Sequence, residues 1–176
     1  MMKEEEKNLD QSQIKFRKKM LNPFWFYFFT FFDVPMGWIA NMKLKELSFN
    51  HGVTSVPFQW YYRWQNKNPF KSMYFAVQSM AAELSTASIA VLATHNKKPS
   101  IAYIIVEMRA KYIKKATGST TFSCKEGNKI FAAVEKCIKE KKGTETEVKT
   151  IGKLEDGTIV SEFFFTWSFK QRSNED

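Results

Sequence analysis

The stretch that decides the fold is Ser72–Thr94, with the sequence SMYFAVQSMAAELSTASIAVLAT. It is too long for a strand and contains no Gly or Pro, so it predicts one long helix. The helix should open either with Pro69 in its first turn and Asn68 as the cap before it, or with Ser72 as the cap. Apolar side chains recur on every face, which is typical of an enclosed helix. Glu83 is the single charge in the stretch. Since an unpaired carboxylate in apolar surroundings is costly, Glu83 should be paired, kept protonated or used in chemistry.

A lipid bilayer is the alternative environment for this helix, because about 20 apolar residues suffice to span one. Several polar side chains argue against it, and an acid in mid-membrane usually comes with other spans that shelter it. These side chains are Ser72, Gln78, Ser79, Glu83, Ser85, Thr86, Ser88 and Thr94. The many small residues instead suit a helix that a sheet grips closely. We therefore expect protein around this helix rather than lipid.

Length and composition limit the classes of protein to which this chain can belong. The 176 residues fit one domain with a full core, and an aromatic content of 16% indicates wide apolar surfaces on a sheet or in a ligand cavity. The net charge of +9 favours polyanionic partners such as nucleic acid, anionic lipid or a phosphorylated cofactor. Cys124 and Cys137 lack the spacing of a zinc or redox motif, so we expect two reduced thiols in a cytoplasmic protein and no metal site.

An aromatic run dominates the N-terminal part of the chain. Residues 23–32 read PFWFYFFTFF and are followed by Asp33 and Pro35. The run is short for a membrane span. It predicts an N-terminal aromatic helical segment over 11–41 that packs on the protein's own core, caps an apolar pocket or touches a membrane surface. The chain ends, 1–10 and 172–176, should be flexible.

Beyond this segment the apolar pattern predicts strands. The expected ranges are 43–49, 53–64, 101–112, 118–124, 144–154 and 158–170, with a short amphipathic helix at 128–140. The turn at Asn50-His51-Gly52 indicates a hairpin, and 101–112 should have one dry and one wet face. Strands this close in sequence pair antiparallel. The result is an α+β fold over 42–171, in which a six-stranded antiparallel sheet wraps the long helix in the hotdog arrangement.

Two short motifs resemble those of small hotdog-fold acyl-CoA thioesterases. In that family an Asn is followed by His-Gly-Gly and then by an Asp on the central helix. With Glu83 as the acid, Asn68 falls on the Asn, and Tyr74, Phe75 and Ala76 fall on His-Gly-Gly. The run 112–118, YIKKATG, is similar to the family's strand that ends in an aromatic-x-x-Pro-Ala-x-Gly turn. The chain departs from the family where rings replace the first two positions of His-Gly-Gly.

The resemblance implies a reaction and a set of roles. Glu83 would serve as general base or nucleophile, Asn68 would orient the water or the thioester oxygen, and the Phe75 amide would receive the oxyanion. Tyr74, Ala76 and Thr86 would contact the substrate, with Thr86 hydrogen-bonding the carboxylate or water. The substrate would be an acyl-CoA or acyl-carrier-protein thioester, with coenzyme A as part of the substrate and no separate cofactor. A plain helix cap is the alternative role of Asn68, and a satisfied structural acid that of Glu83.

Spacing along the helix adds a geometric inference. Phe75 and Glu83 are eight residues apart, or about 12 Å along the axis, so one reacting carbonyl cannot touch both. Their joint use requires two subunits with antiparallel helices, and the resemblance likewise implies a homodimer or a dimer of dimers. The rival functions are a non-catalytic acyl or lipid carrier and a protein bound weakly to a membrane surface. Nucleic acid is not an expected partner, because the basic residues form no continuous stripe with interleaved aromatics.

Overall fold

The computed structural model describes residues 8–59 and 63–172, which form an α+β structure. Its elements in chain order are α1 (Gln11–Leu21), α2 (Pro23–Asp33), α3 (Pro35–Ile39), β1 (Lys43–Leu47), β2 (Gly52–Val56), α4 (Arg63–Asn66), α5 (Phe75–Thr94), β3 (Ile101–Tyr112), β4 (Thr120–Cys124), α6 (Gly127–Glu140), β5 (Thr144–Leu154) and β6 (Ile159–Gln171). The predicted order of two strands, a long helix and four strands with an inserted helix is confirmed. The predicted flexible ends lie mostly outside the described residues.

All six strands belong to one antiparallel sheet. Their spatial order is β1-β2-β4-β5-β6-β3, so that β1 and β3 are the edges. Helix α5 contacts every strand of this sheet. The predicted arrangement, a sheet wrapped around a long apolar helix, is therefore confirmed.

Close backbone contact fixes α5 on the sheet. A Cβ atom on Gly52 of β2 would lie 2.0 Å from the Ser85 carbonyl oxygen, so only glycine permits this approach. Two short polar contacts lie alongside: the Thr54 hydroxyl donates to the Ala81 carbonyl oxygen at 2.6 Å, and the hydroxyls of Ser85 and Thr150 are 2.6 Å apart. The small and hydroxylated residues of α5 thus bring helix and sheet together and satisfy their buried polar groups.

Strand β6 supplies the aromatic side of the core. Phe163, Phe165, Trp167 and Phe169 are buried and alternate with half-buried residues along this strand. The Trp167 ring nitrogen donates to the Thr86 hydroxyl at 3.2 Å, so the largest ring of the set also has its polar atom paired.

The start of the long helix differs from the prediction. Helix α5 begins at Phe75, with Tyr74 as an N-cap whose side chain makes no capping bond. Residues 68–73 form a separate loop, in which Asn68 accepts hydrogen bonds from the backbone N–H groups of Phe70 and Ser72. The prediction of an Asn68 or Ser72 helix cap is wrong, because the cap-type bonds of Asn68 close this loop instead.

Strands β2 and β3 also depart from the pattern. Strand β2 ends at Val56, whereas the predicted strand ran to 64; residues 60–62 lie outside the described part of the chain. Strand β3 is exposed on both faces beyond Ile105, so the expected dry face is absent there. Its position at the sheet edge explains this, since only one neighbouring strand shelters it.

The N-terminal helices pack across the open side of α5. Asp10 caps α1 in a capping box with Gln13, and the Gln13 side-chain amide donates to the Leu92 carbonyl oxygen at 3.0 Å. Arg17 donates to the carbonyl oxygen of Leu47 at the end of β1. Buried polar bonds thus fasten α1 to both α5 and the sheet.

Among the described residues, one helix, α5, is long and apolar enough to cross a membrane by length and composition. More than half of it is buried against the sheet and its neighbours. This extent of burial is typical of a core helix, which the many small side chains of α5 also predict.

Replacing Gly52 by alanine tests the helix-to-sheet contact. We expect Gly52→Ala to lower the free energy of unfolding by about 2 kcal/mol or more, because the added Cβ would overlap backbone that cannot move independently. Gly143→Ala is the control, since its Cβ would be 3.8 Å from the nearest heavy atom. Urea unfolding of both variants measures the difference, and equal midpoints for the two would contradict the close contact.

Candidate active site

One stripe of α5 is left uncovered by the sheet. Its members recur at helical spacing, and they are Met80, Glu83, Leu84, Ala87 and Val91. Glu83 is exposed to solvent within the single chain, and the other four are half-buried. The prediction that α5 is enclosed on every side is wrong for this stripe, because the sheet curls around only part of the helix circumference.

A cavity of about 820 Å³ lies between this stripe and the N-terminal helices. Its walls are mostly aromatic and aliphatic, and Glu83 lies among them. From α1 and α2 the lining side chains are Phe16, Lys19, Met20, Trp25, Phe26, Phe28, Phe29, Phe32 and Asp33. The aromatic run of the sequence thus caps an apolar pocket, one of the roles expected for it. A volume of this size suits a ligand with a long or bulky apolar part.

The Glu83 carboxylate sits in this cavity without a partner from the described residues. Removal from bulk water by the surrounding protein raises its pKa above that of an ordinary glutamate. Part of its surface still faces the cavity, so water or a ligand can reach it. An accessible acid whose pKa is raised is suited to proton transfer.

Thr86 lies on the opposite side of the helix from the cavity. It is buried, donates to the backbone carbonyl oxygen of Glu83 at 2.9 Å and accepts from the Trp167 ring. Its hydroxyl therefore bonds to the backbone of Glu83 and not to its carboxylate.

The first turn of α5 forms a second, separate feature. The backbone N–H groups of Phe75, Ala76 and Val77 have no hydrogen-bond partner among the described residues. The Tyr74, Phe75 and Ala76 side chains are exposed here, and the Phe75 ring lies against that of Tyr112 with centroids 4.3 Å apart. Free amides at a helix N-terminus are donors for an anionic oxygen.

Asn68 is fully engaged within its loop. Besides accepting from Phe70 and Ser72, its amide nitrogen donates to the Met73 carbonyl oxygen at 3.3 Å. The side chain is buried, and these bonds hold the loop that delivers the chain to the start of α5. This geometry favours a structural role of Asn68 in closing the loop over a direct role in orienting substrate.

The two predicted catalytic groups lie in different depressions of one chain. Glu83 lines the large cavity, whereas Phe75 lines a depression of about 230 Å³ with Phe70, Gln78, Tyr112 and Lys114 among its walls. The single chain thus keeps the amide donors and the carboxylate apart, as the eight-residue spacing requires.

Three polar residues of the cavity were missed by sequence reasoning: Lys19, Asp33 and Tyr103. Burial raises the pKa of the Tyr103 hydroxyl, and the nearby positive charge of Arg172 partly offsets the effect. The spacing of Phe16, Lys19 and Met20 on α1 is a signal that could have placed Lys19 on an inward face. Tyr103 and Asp33 carry no comparable local signal.

A metal centre is not indicated. Within residues 8–59 and 63–172, no group of three or more His, Cys, Asp or Glu side chains is placed to hold an ion. Cys124 and Cys137 are both buried and free, and burial raises the pKa of the Cys124 thiol to about 11.

Comparison of the structure with solved structures identifies the fold. A protein of unknown function from Pseudomonas aeruginosa, described as a probable thioesterase, superposes with a TM-score of 0.70 at 17% identity, covering 88% of this chain and 99% of that one. The chain has the hotdog fold. No protein-family model and no curated protein matches the sequence.

Two further hotdog structures extend the likeness. A thioesterase mutant from Staphylococcus aureus gives a TM-score of 0.57 at 15% identity, over 77% of this chain and 98% of that one. A thioesterase from Haemophilus influenzae gives 0.56 at 8% identity, over 80% and 86%. At these identities the likeness establishes the fold, and the chemistry must be argued from the residues.

Proposed function

We propose that this protein hydrolyses an acyl thioester, with Glu83 as general base or nucleophile. The observation that carries the proposal is the Glu83 carboxylate on the wall of a large apolar cavity. Its pKa is raised, and it has no partner in the part of the chain that the structure describes. The names of the similar hotdog structures support the same reaction class.

The reaction requires a base and a site for the developing oxyanion. As base, Glu83 takes a proton from water, whose oxygen attacks the thioester carbonyl carbon; the C–S bond then breaks and the sulfur leaves with a proton as the thiol. As nucleophile, its oxygen attacks that carbon, the thiolate leaves, and water hydrolyses the resulting anhydride. The free amide of Phe75 stabilises the oxyanion in either route.

The cavity defines the acyl part of the substrate. Its lining of rings and aliphatic side chains suits a fatty or aromatic acyl group, which would lie between α2 and the uncovered stripe of α5. Lys114 and Lys115 line the depression beside Phe75. They favour a phosphate-bearing carrier, either coenzyme A or the phosphopantetheine of an acyl carrier protein.

A complete site needs two chains, and the β3 edge supports their pairing. Ile104, Val106 and Met108 are exposed on this 12-residue strand, with Ile104 65% exposed. A long apolar edge is an incomplete surface that another strand can pair with. We infer a homodimer, alone or as half of a dimer of dimers, in which Glu83 of one chain serves the same substrate as the Phe75 amide of its partner.

A non-catalytic acyl carrier is the second candidate. Two contacts favour it: Asn68 is hydrogen-bonded within its own loop, and the Phe75 ring packs against Tyr112 at the start of α5. Neither contact leaves an open approach for a thioester at this point. Such a carrier would bind a fatty acid in the same cavity without turnover.

Replacing Glu83 by glutamine separates the two functions. We expect Glu83→Gln to lower kcat for medium and long acyl-CoAs by about 100-fold or more, the usual contribution of a general base. In the wild type, kcat/KM should rise with pH through an apparent pKa above that of an ordinary glutamate, because only the ionised carboxylate accepts a proton.

Glu135→Gln is the matched control, since Glu135 is exposed on α6 and does not line the cavity. It should hydrolyse at the wild-type rate. Equal rates for Glu83→Gln and wild type would contradict the role of Glu83. Tight fatty-acid binding without hydrolysis at any chain length would favour the carrier.

Replacing Phe75 by proline tests the amide and the partner chain together. Proline lacks the N–H but fits the first position of a helix, and Tyr74 already has the extended backbone that precedes proline (φ −63°, ψ 140°). We expect Phe75→Pro to be nearly inactive, whereas Phe75→Ala, which keeps the amide, should retain more activity. Circular dichroism and thermal unfolding verify that both variants fold.

Mixing Phe75→Pro chains with Glu83→Gln chains then tests whether the amide and the carboxylate of one site come from two different chains. After subunit exchange, half of the dimers carry one intact site, so the mixture should regain about a quarter of the wild-type activity. An inactive mixture with demonstrated exchange would show that the two groups do not meet across an interface.

A further inference from the structure

Most of the large apolar side chains of helix α2 are exposed rather than packed in the core. Phe26 and Thr30 are buried, whereas the opposite face is exposed. Together with α3, this outer face presents eight large apolar side chains: Phe24, Trp25, Tyr27, Phe28, Phe31, Phe32, Met36 and Ile39. Phe24 is 66% exposed and Phe32 73% exposed. We call this set the aromatic face.

The aromatic face is expected to be covered by a binding partner or a membrane. Contiguous apolar surface of this extent is rare on proteins that stay free in water, and it marks contact with a partner or a membrane. Its side chains are mostly aromatic and include Trp25 and Tyr27, the two residue types that favour the boundary between hydrocarbon and lipid headgroups.

Basic side chains border the aromatic face on both sides. Lys19 lies over the Trp25 ring at 4.6 Å, on the side of the large cavity. On the other side Lys43 and Lys45 line a groove of about 750 Å³ that α2 shares with β1. The acidic residues of these same elements, α1 to α3 and β1, are Asp33 and Glu46, and Glu46 contacts His51. Their basic residues are Lys15, Arg17, Lys18, Lys19, Lys43 and Lys45.

We propose that the aromatic face binds the surface of an anionic lipid bilayer. The rings would insert at the headgroup level with α2 lying flat, and the flanking lysines would meet the lipid phosphates. The charge border favours this occupant over a second copy of the chain, which would bring together two surfaces of the same positive sign.

The large cavity adjoins this face, because Trp25, Phe28 and Phe32 belong to both. An apolar chain leaving the bilayer would therefore enter the cavity without crossing water. This consequence concerns the route of a ligand, and the proposed membrane contact stands whether or not the ligand is hydrolysed.

Vesicle co-sedimentation of the full chain tests the proposal. We expect binding to phosphatidylcholine vesicles that contain phosphatidylglycerol, weaker binding to pure phosphatidylcholine, and a loss of binding as salt rises. The double variant Phe24→Gln/Phe31→Gln should bind at least about tenfold more weakly, since both rings lie on the face and neither lines the cavity. Lys43→Gln/Lys45→Gln should lose only the preference for anionic lipid.

Phe70→Gln is the control, because Phe70 is 64% exposed but lies on the loop before α5. It should bind vesicles as the wild type does. Absence of wild-type binding at low salt, or unchanged binding by the Phe24/Phe31 variant, would overturn the proposal. Self-association that the same variant abolishes, without vesicle binding, would assign the face to a second copy instead.

Discussion

The constraint on which the structure depends is the backbone-level contact between α5 and the sheet. Gly52 has no side chain where β2 meets the helix, and Thr54 and Ser85 make short hydrogen bonds beside it. This closeness fixes which face of α5 is buried. The opposite stripe, which includes Glu83, is consequently left for the N-terminal helices, and a cavity lies between them and the stripe.

Helix α2 connects this cavity to the outside of the molecule. Phe26 and Phe29 line the cavity, and Phe24 and Phe31 belong to the aromatic face. Trp25, Phe28 and Phe32 belong to both surfaces. Helix α2 therefore contributes side chains to both the large cavity and the aromatic face. The length of α5 separates two further features, since its free N-terminal amides and its carboxylate lie about 12 Å apart along the axis. A chemistry that uses both is in consequence a property of two chains.

The parts of the fold that local pattern determines were predictable from the sequence. The alternation of β6 and the apolar spacing of α6 gave the right type and nearly the right bounds, because each element has one buried face that the sequence repeats. The start of α5 was misplaced, since Asn68 is equally suited to cap a helix and to close a loop, and distant contacts decide between them. The exposure of β3 follows from its edge position, which is a property of the whole sheet.

The candidate site was predictable in part for the same reason. Glu83 stood out as the single charge of an apolar stretch, and it does line the main cavity. The cavity itself lies between α1, α2 and α5, so no single segment of sequence encodes it. Lys19 and Tyr103, which share it with Glu83, come from elements far apart in the chain.

A crystal structure with a non-hydrolysable acyl-CoA analogue would show whether the uncovered stripe of α5 is the acyl-binding wall. We expect an acyl chain between α2 and α5, with its carbonyl carbon within reach of the Glu83 carboxylate and its oxygen on the Phe75 amide of a second chain. An analogue bound elsewhere, with this cavity empty or Glu83 turned away from the carbonyl, would contradict it.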